Sequence, residues 1–440
     1  MHLLASQIAE ATGGTLHGPD VGVDSAGIDS RTIGAGQLFV PIVAARDGHD
    51  FIASAVRAGA SVYLTDRAPD PAVAATAVQV ADTGLALADL GRAARSRVGD
   101  RVVGVTGSVG KTSTKDLLAG VLATTYRTAA SEKSFNNELG LPLTLLGAPD
   151  GTEAVVLEMG ARGVGHIELL CDIATPDVGI ITRVEAVHLE MFGTLDDVAT
   201  AKGELVESLP ADGIAVLNAD HAVVRDMRSR TSARVLTYGT ADDADIRATD
   251  IVLDDQLRAG FTLHSPWGST PISLQARGEH QVPNALAAAA AGCGLGVPLD
   301  ELAGGLRNAA LSGLRMEMST TSAGVVVIND AYNANPTSMS AAFNSLARLD
   351  ARRRFAVVGT MAELGADGAA AHRDIARQAV EQGITVIAVD ELAYGATDVL
   401  HVPDVASAVD ALGELGDGDA VLVKGSRVAA LERVAQALAD

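Results

Sequence analysis

Residues 102–113 read Val-Val-Gly-Val-Thr-Gly-Ser-Val-Gly-Lys-Thr-Ser, so Gly107 and Gly110 lead directly into Lys111-Thr112. Glycines let backbone N–H groups converge on one anion, and a helix starting at Lys111 points the positive end of its dipole at the same place. The Lys111 ammonium suits the β- and γ-phosphates of a nucleotide such as ATP, and the Thr112 hydroxyl suits Mg²⁺. Thr106, Gly107, Ser108, Gly110, Lys111, Thr112 and Ser113 are therefore candidate nucleotide contacts. The commonest spacing of such loops would put a glycine where Val105 stands, so this one is a variant. Strand, Gly-Lys-Thr and helix together still favour a nucleotide site over a simple helix-capping turn.

A loop of this kind needs a sheet beneath it. Apolar β-type runs at 102–106, 154–158, 178–182 and 214–218 are bounded by polar loops and separated by helical patterns, including 85–97, 111–124 and 284–292. Strands alternating with helices predict a mainly parallel sheet covered on both faces. Before it, residues 1–82 mix short strands (37–40, 62–65) with turns, and an Ala/Pro-rich stretch at 68–77 approaches a boundary. After it, 313–440 repeats the alternation with strands at 325–329, 355–359, 385–389 and 420–424, predicting a second doubly wound unit. The expected organisation is α/β with three domains, 1–82, 83–312 and 313–440: a small α/β domain, a phosphate-loop domain and a Rossmann-like domain.

Composition excludes other classes. Of the 440 residues, 48% are hydrophobic and 20% charged, which suits packed cores and not disorder. With 33 Lys+Arg against 55 Asp+Glu, the net charge of −22 offers no attraction for nucleic acid or an anionic membrane. Any phosphate must be held by local devices. Cys171 and Cys293 are the only cysteines, so neither a disulfide framework nor a thiolate metal cluster is expected. The first 18 residues read as a short amphipathic helix and not a signal peptide, and the apolar run 285–297 is too short to span a bilayer. A cytoplasmic monomer is expected.

Further motifs fall in a recognisable order. They are Lys133-Ser-Phe-Asn-Asn-Glu138, Glu158-Met-Gly160, His188-Leu-Glu190, Ala201-Lys202-Gly-Glu204, Gly278-Glu-His280 with Asn284, and Gly313-Leu-Arg315. Asp330-Ala-Tyr332-Asn333-Ala-Asn335-Pro336 and Leu422-Val-Lys424-Gly-Ser426-Arg427 complete the set. Across essentially the whole chain this resembles the Mur ligases, which join amino acids or peptides to a UDP-linked muramoyl precursor. Phe135-Asn-Asn-Glu138 and Tyr332-Asn-Ala-Asn-Pro336 resemble the branch that adds D-alanyl-D-alanine to UDP-N-acetylmuramoyl-tripeptide.

The resemblance implies a chemistry. ATP phosphorylates the substrate carboxylate, the dipeptide amine attacks the acyl phosphate, and phosphate leaves. Lys111, Glu158, His188 and Lys202 match catalytic positions, with Thr112, Glu158, His188 and a carbamylated Lys202 around Mg²⁺. His280 and Asn284 match the adenine side, and Arg315 and Asp330 match positions reaching the nucleotide from the third domain. Ser30, Arg31, Asp47 and His49 resemble the UDP-binding domain. Asn136, Asn137, Glu138, Tyr332, Asn333, Asn335, Lys424, Ser426 and Arg427 are the implied substrate contacts. The chain departs from the family pattern at Val109, Arg183, Gln281 and Thr360; Arg183 changes the charge beside the metal site. The competing readings are a related amide ligase, such as folylpolyglutamate synthase or the enzyme adding the third amino acid, and a UDP-sugar-binding NTPase that has lost ligation.

Overall fold

The computed structural model describes the chain apart from Met1, Lys133, Ser134, Val187, His188, Ala396 and Asp440, and the side chains of Leu189 and Ala366. The expectation for His188 thus lies outside the described residues, as does the Lys133-Ser134 start of its motif.

Runs of Val, Ile and Ala buried on both faces form the central sheet. Arg101–Thr106 pairs in parallel with Ala154–Glu158 on one side and Val178–Ile181 on the other. Thr128–Ala130 lies outside Ala154–Glu158, while Ile214–Asn218, Arg234–Gly239 and Ile246–Leu253 extend the parallel array the other way. From Arg101–Thr106 the chain moves first to one side of the sheet and later to the other, which opens a crevice above that strand's C-terminal end. Lys111–Leu122 begins in that crevice.

Small residues set how closely the covering helices approach. In helix Gln281–Gly294, residues Ala285 and Ala287 to Ala291 are fully buried. A Cβ on Gly292 would come within 2.6 Å of Val121, and one on Gly305 within 2.6 Å of the Val121 backbone. Helices Gln281–Gly294 and Leu299–Asn308 therefore press directly on the phosphate helix. The second of these helices, which lies within the expected 83–312 block beyond its last predicted helix, was not anticipated.

The structure also adds two antiparallel strands, Arg258–Ser265 and Gly268–Arg277, to the edge of the central sheet. Their alternating burial shows one face against the core and one in water.

The first sheet is smaller. Gly27-side strand Ser25–Gly27, Gln37–Phe39, Val62–Thr65 and Thr76–Gln79 run parallel, with Thr15–His17 antiparallel at one edge. The third sheet orders Glu317–Thr320, Val326–Asn329, Asp419–Lys424, Arg353–Val358, Thr385–Val389 and Val399–Val402, parallel except for its first strand. Its central strands end at Asn329, Lys424 and Val358, so the motifs at 330–336, 424–427 and 359–365 share one rim. No helix among the described residues is long and apolar enough to cross a membrane.

Candidate active site

The turn at 107–110 can exist only with its glycines. Gly107 has φ +146 and Gly110 φ +85, both in the left-handed half that favours glycine. A Cβ on Gly107 would sit 1.9 Å from Thr182 Oγ1, and one on Gly110 2.4 Å from Asn284 Oδ1. The turn is braced from the neighbouring strand end: Ser108 N donates to Arg183 O at 2.7 Å, and Thr182 Oγ1 to Val109 O at 2.6 Å. Thr106 Oγ1 donates to Met159 O at 2.8 Å, locking it to the other neighbour. The first N–H groups of helix Lys111–Leu122, at Lys111, Thr112 and Ser113, lack a carbonyl four residues back and face the turn.

Glu158 ends the next strand and is buried. Its Oε2 accepts from Thr112 Oγ1 at 2.7 Å and its Oε1 from Asn136 Nδ2 at 2.9 Å. Arg315 Nη2 donates to the same Thr112 oxygen at 2.9 Å, and its guanidinium lies 4.3 Å from the Tyr332 ring centre. Lys111 Nζ donates to Gly107 O at 2.7 Å. Desolvation pushes Lys111 below the usual lysine range and Arg315 adds to the push, while Glu158 opposes it. Lys202, on helix Leu195–Glu207, is 2% exposed. Burial brings its ammonium down to about 7, with Lys111 contributing and Glu204 and Glu158 opposing. Phe192 covers it, its ring centre 5.8 Å away.

These residues fit a triphosphate and its metal. Lys111 and Lys202 both feel the Glu158 carboxylate, Arg315 reaches Thr112 beside it, and the Arg315 Nε is buried without a partner. The partly buried cations Lys111 and Arg315, set beside the glycine turn, call for a polyanion. Thr112 and Glu158 are hard oxygen donors of the kind Mg²⁺ takes. Among the described residues no group of three His, Cys, Asp or Glu could hold a metal by itself.

Other expected residues lie near by but are engaged differently. Asn284 Nδ2 donates to Gln281 Oε1 at 2.9 Å, so the variant Gln281 orients the amide, and Thr114 Oγ1 donates to Asn284 Oδ1 at 3.5 Å. His280 Nδ1 is buried without a partner, and desolvation lowers its basicity. It lines a cavity of about 590 Å³ between the central and third sheets' helices, with Pro283 and Leu286 on one side and Ala341 and Ser345 on the other. Arg183 pairs with Glu185 at 3.1 Å, which neutralises much of the charge that this departure adds.

On the third sheet's rim, Lys424 Nζ donates to Asp330 Oδ2 at 2.6 Å and to Asn333 O at 2.9 Å. Ser426 Oγ accepts from Ala362 N at 3.0 Å. Asn335 caps helix Pro336–Arg348 by accepting from Ser338 N at 2.9 Å, and Asn333 Oδ1 accepts from Ala334 N at 2.9 Å. Several of these polar groups therefore shape the rim itself. Arg427 is more open, paired with Glu432 at 2.8 Å.

The first sheet's candidates form their own cluster. Arg31 forks onto Asp29, holding that carboxyl down at about 2; Ser30 lies between them in the chain. Asp47 accepts from His49 N at 3.0 Å and pairs with Arg67, which together keep it well below the usual carboxylate range. His49 sits between Asp47 and Asp66, at 2.8 and 3.1 Å. Asn137 Oδ1 accepts from Gly140 N at 2.9 Å, and Glu138 is exposed.

Sequence reasoning passed over Thr182, Lys115 and Asp116. Lys115 Nζ donates to Ser131 O at 2.6 Å, and Ser131 Oγ accepts from Glu158 N at 3.2 Å. The available signal was a Lys-Asp pair one turn beyond Lys111-Thr112, on a helix packed on several sides.

A glycine turn, a helix N-terminus and the partly buried cations Lys111 and Arg315 at the ends of parallel strands define an α/β protein built to handle a bound polyanion. The Mur ligase middle domain matches residues 105–292, the Mur ligase glutamate ligase domain 314–427, and the Mur ligase family catalytic domain 23–95. The chain belongs to the Mur ligase family. It is 38% identical to the UDP-N-acetylmuramoyl-tripeptide–D-alanyl-D-alanine ligase of Mycobacterium bovis, over 100% of this chain and 98% of that one. Among solved structures it resembles MurF from Acinetobacter baumannii, with TM-score 0.90, 31% identity, and 100% and 99% of the two chains covered. MurF ligase from Thermotoga maritima in complex with ADP matches with TM-score 0.82 and 28% identity, over 94% of this chain and 96% of that one.

Proposed function

We propose that this chain joins D-alanyl-D-alanine to UDP-N-acetylmuramoyl-tripeptide, with ATP as phosphoryl donor, making the pentapeptide precursor of peptidoglycan. The observation that carries this reading is that Arg315 bonds Thr112, Thr112 bonds Glu158 and Lys111 lies against Glu158, all beside a turn that needs its glycines, with the weakened amine of Lys202 buried near by. The full-length similarity to ligases named for that reaction supports it.

A carboxylate cannot lose oxide to an amine, so it must first gain a better leaving group. Transfer of the γ-phosphoryl makes an acyl phosphate, the dipeptide amine attacks its carbonyl carbon, and the tetrahedral intermediate expels phosphate. Negative charge gathers on phosphoryl oxygens in the first step and on the former carbonyl oxygen in the second, so cations held in place accelerate both. Lys111 and Arg315 neutralise the phosphates, and the 107–110 turn orients them. Mg²⁺, held by Thr112 and Glu158 with His188 and Lys202 at a second ion, would supply further charge neutralisation. Lys202 suits reaction with CO₂: with its ammonium weakened to about 7, much of it is a free amine at neutral pH. The amine adds to CO₂ and loses a proton, leaving an N-carboxylate that turns this cation into an anion.

Residues 1–82 would hold the UDP end through Ser30, Arg31, Asp47 and His49, and 83–312 the ATP through the turn, His280 and Asn284. Residues 313–440 would present Asp330 to the nucleotide and receive the dipeptide among Tyr332, Asn333, Asn335, Lys424, Ser426 and Arg427. Asn136, Asn137 and Glu138 would meet the tripeptide. Phosphate release measured with each substrate omitted tests this. Release should need ATP, UDP-N-acetylmuramoyl-tripeptide and D-alanyl-D-alanine together. Equal release with glutamate or diaminopimelate replacing the dipeptide would point to a related amide ligase instead.

A further inference from the structure

We infer that Asp116 is a positioning residue for Arg315. Its carboxylate, one helical turn beyond Thr112, pins the start of the segment that carries Arg315 into the phosphate site. This rests on the reading above, in which Arg315 acts on the nucleotide.

Thr112 and Asp116 stand at i and i+4 on helix Lys111–Leu122 and so share a face. Asp116 Oδ2 accepts from Ser312 N at 2.7 Å, and Thr112 Oγ1 accepts from Arg315 Nη2 at 2.9 Å. One helix face thus holds both ends of the short segment 312–315. The far side of Arg315 is tied as well, with Met316 N donating to Asp330 Oδ1 at 3.2 Å. Between these ties the backbone is strained: Leu314 has φ +60 and Met316 φ +52, left-handed residues with side chains flanking Arg315. Such residues persist only where surrounding contacts over-determine them.

Asp116 is otherwise hard to explain. An aspartate is a poor residue for a helix interior, and burying its charge is costly without partners. It is 7% exposed and pairs with the still more buried Lys115 at 2.8 Å, which holds the carboxylate in place. The group it receives in that setting is the Ser312 amide. Freed from it, the linker could relax its left-handed residues and withdraw Arg315 from Thr112.

The test is saturating-substrate phosphate release by Asp116→Ala, Asp116→Asn, Ser312→Pro, Arg315→Ala and the Asp116→Ala/Arg315→Ala double variant. Asp116→Ala should lower kcat about tenfold while the KM for D-alanyl-D-alanine stays within about twofold. Asp116→Asn keeps an acceptor and should retain about a third of kcat or more; Ser312→Pro removes the amide donor, along with some backbone freedom and the hydroxyl, and should lose at least as much kcat as Asp116→Ala. In the Arg315→Ala background, Asp116→Ala should change kcat by less than about twofold, because the two act as one unit. Additive losses in the double variant, or wild-type kcat in Ser312→Pro, would overturn the inference while leaving the proposed function intact. Wild-type kcat in Arg315→Ala would remove the nucleotide role of Arg315 and the inference with it. Should Asp116→Ala fail to fold, Ser312→Pro and Asp116→Asn decide the question.

Discussion

Lys202 carries the most consequential chemistry of any single side chain, because its environment makes a lysine behave as a neutral amine near pH 7. The same shift leaves a thermodynamic trace. Its folded value of about 7 lies below the ordinary lysine value of 10.5, so between those limits the unfolded chain binds more protons than the folded one. Stability from this group therefore rises with pH above about 7 and is lowest below it, where a buried charge persists. In CO₂-free buffer the melting temperature should rise, relative to Lys202→Met, as pH goes from about 7 to about 9. A difference between the two proteins that does not change with pH would show Lys202 to be solvated. Lys111 and Thr112 could be proposed from the sequence because a glycine turn before a helix has few other uses, whereas Glu158 came from the family resemblance alone. Asn335 and Ser426 were not: a motif names residue types, and only the fold shows that Asn335 caps a helix and Ser426 braces the 360–362 loop.

Among the elements, the phosphate turn is the most sensitive to change. Gly110→Ala would place a methyl group 2.4 Å from Asn284 Oδ1 at φ +85, displacing both the turn and the amide that Gln281 holds. ADP affinity, measured by calorimetry, should fall at least about tenfold, or ~1.4 kcal/mol. An unchanged Kd would mean that phosphates do not rest on this turn. The strands beneath it could be read from their apolar runs; Ala154–Glu158 and Ile214–Asn218 form at the expected residues, and Val178–Ile181 ends one residue early. Helix Gln281–Gly294 starts three residues earlier than expected, since His280 and Gln281 belong to its first turn and its cap. The antiparallel pair Arg258–Ser265 and Gly268–Arg277 was passed over, although Ala259, Phe261 and Leu263 alternate with polar residues as a half-buried strand requires. Its sheet partner is set by long-range packing, which periodicity does not encode.

At the scale of the whole molecule, the segment 312–316 leads from the phosphate helix to the third sheet and carries Arg315 to Thr112. The three-part organisation was legible because each block has its own strand pattern. The closeness of Arg315 to Thr112 was not, because 203 positions separate them in the chain. A net charge of −22 surrounds this cationic site, so an anionic substrate approaches against the overall field. Raising ionic strength from about 10 to about 150 mM should increase the ATP association rate constant by shortening the range of that repulsion. A decrease instead would mean that the site's own cations dominate the approach.

Isotope transfer addresses the acyl phosphate itself. UDP-N-acetylmuramoyl-tripeptide labelled with ¹⁸O in the reacting carboxylate is turned over with ATP and D-alanyl-D-alanine, and the released phosphate is analysed by mass spectrometry. Each phosphate should carry one ¹⁸O taken from the carboxylate. Unlabelled phosphate alongside amide product would contradict phosphoryl transfer to that carboxylate.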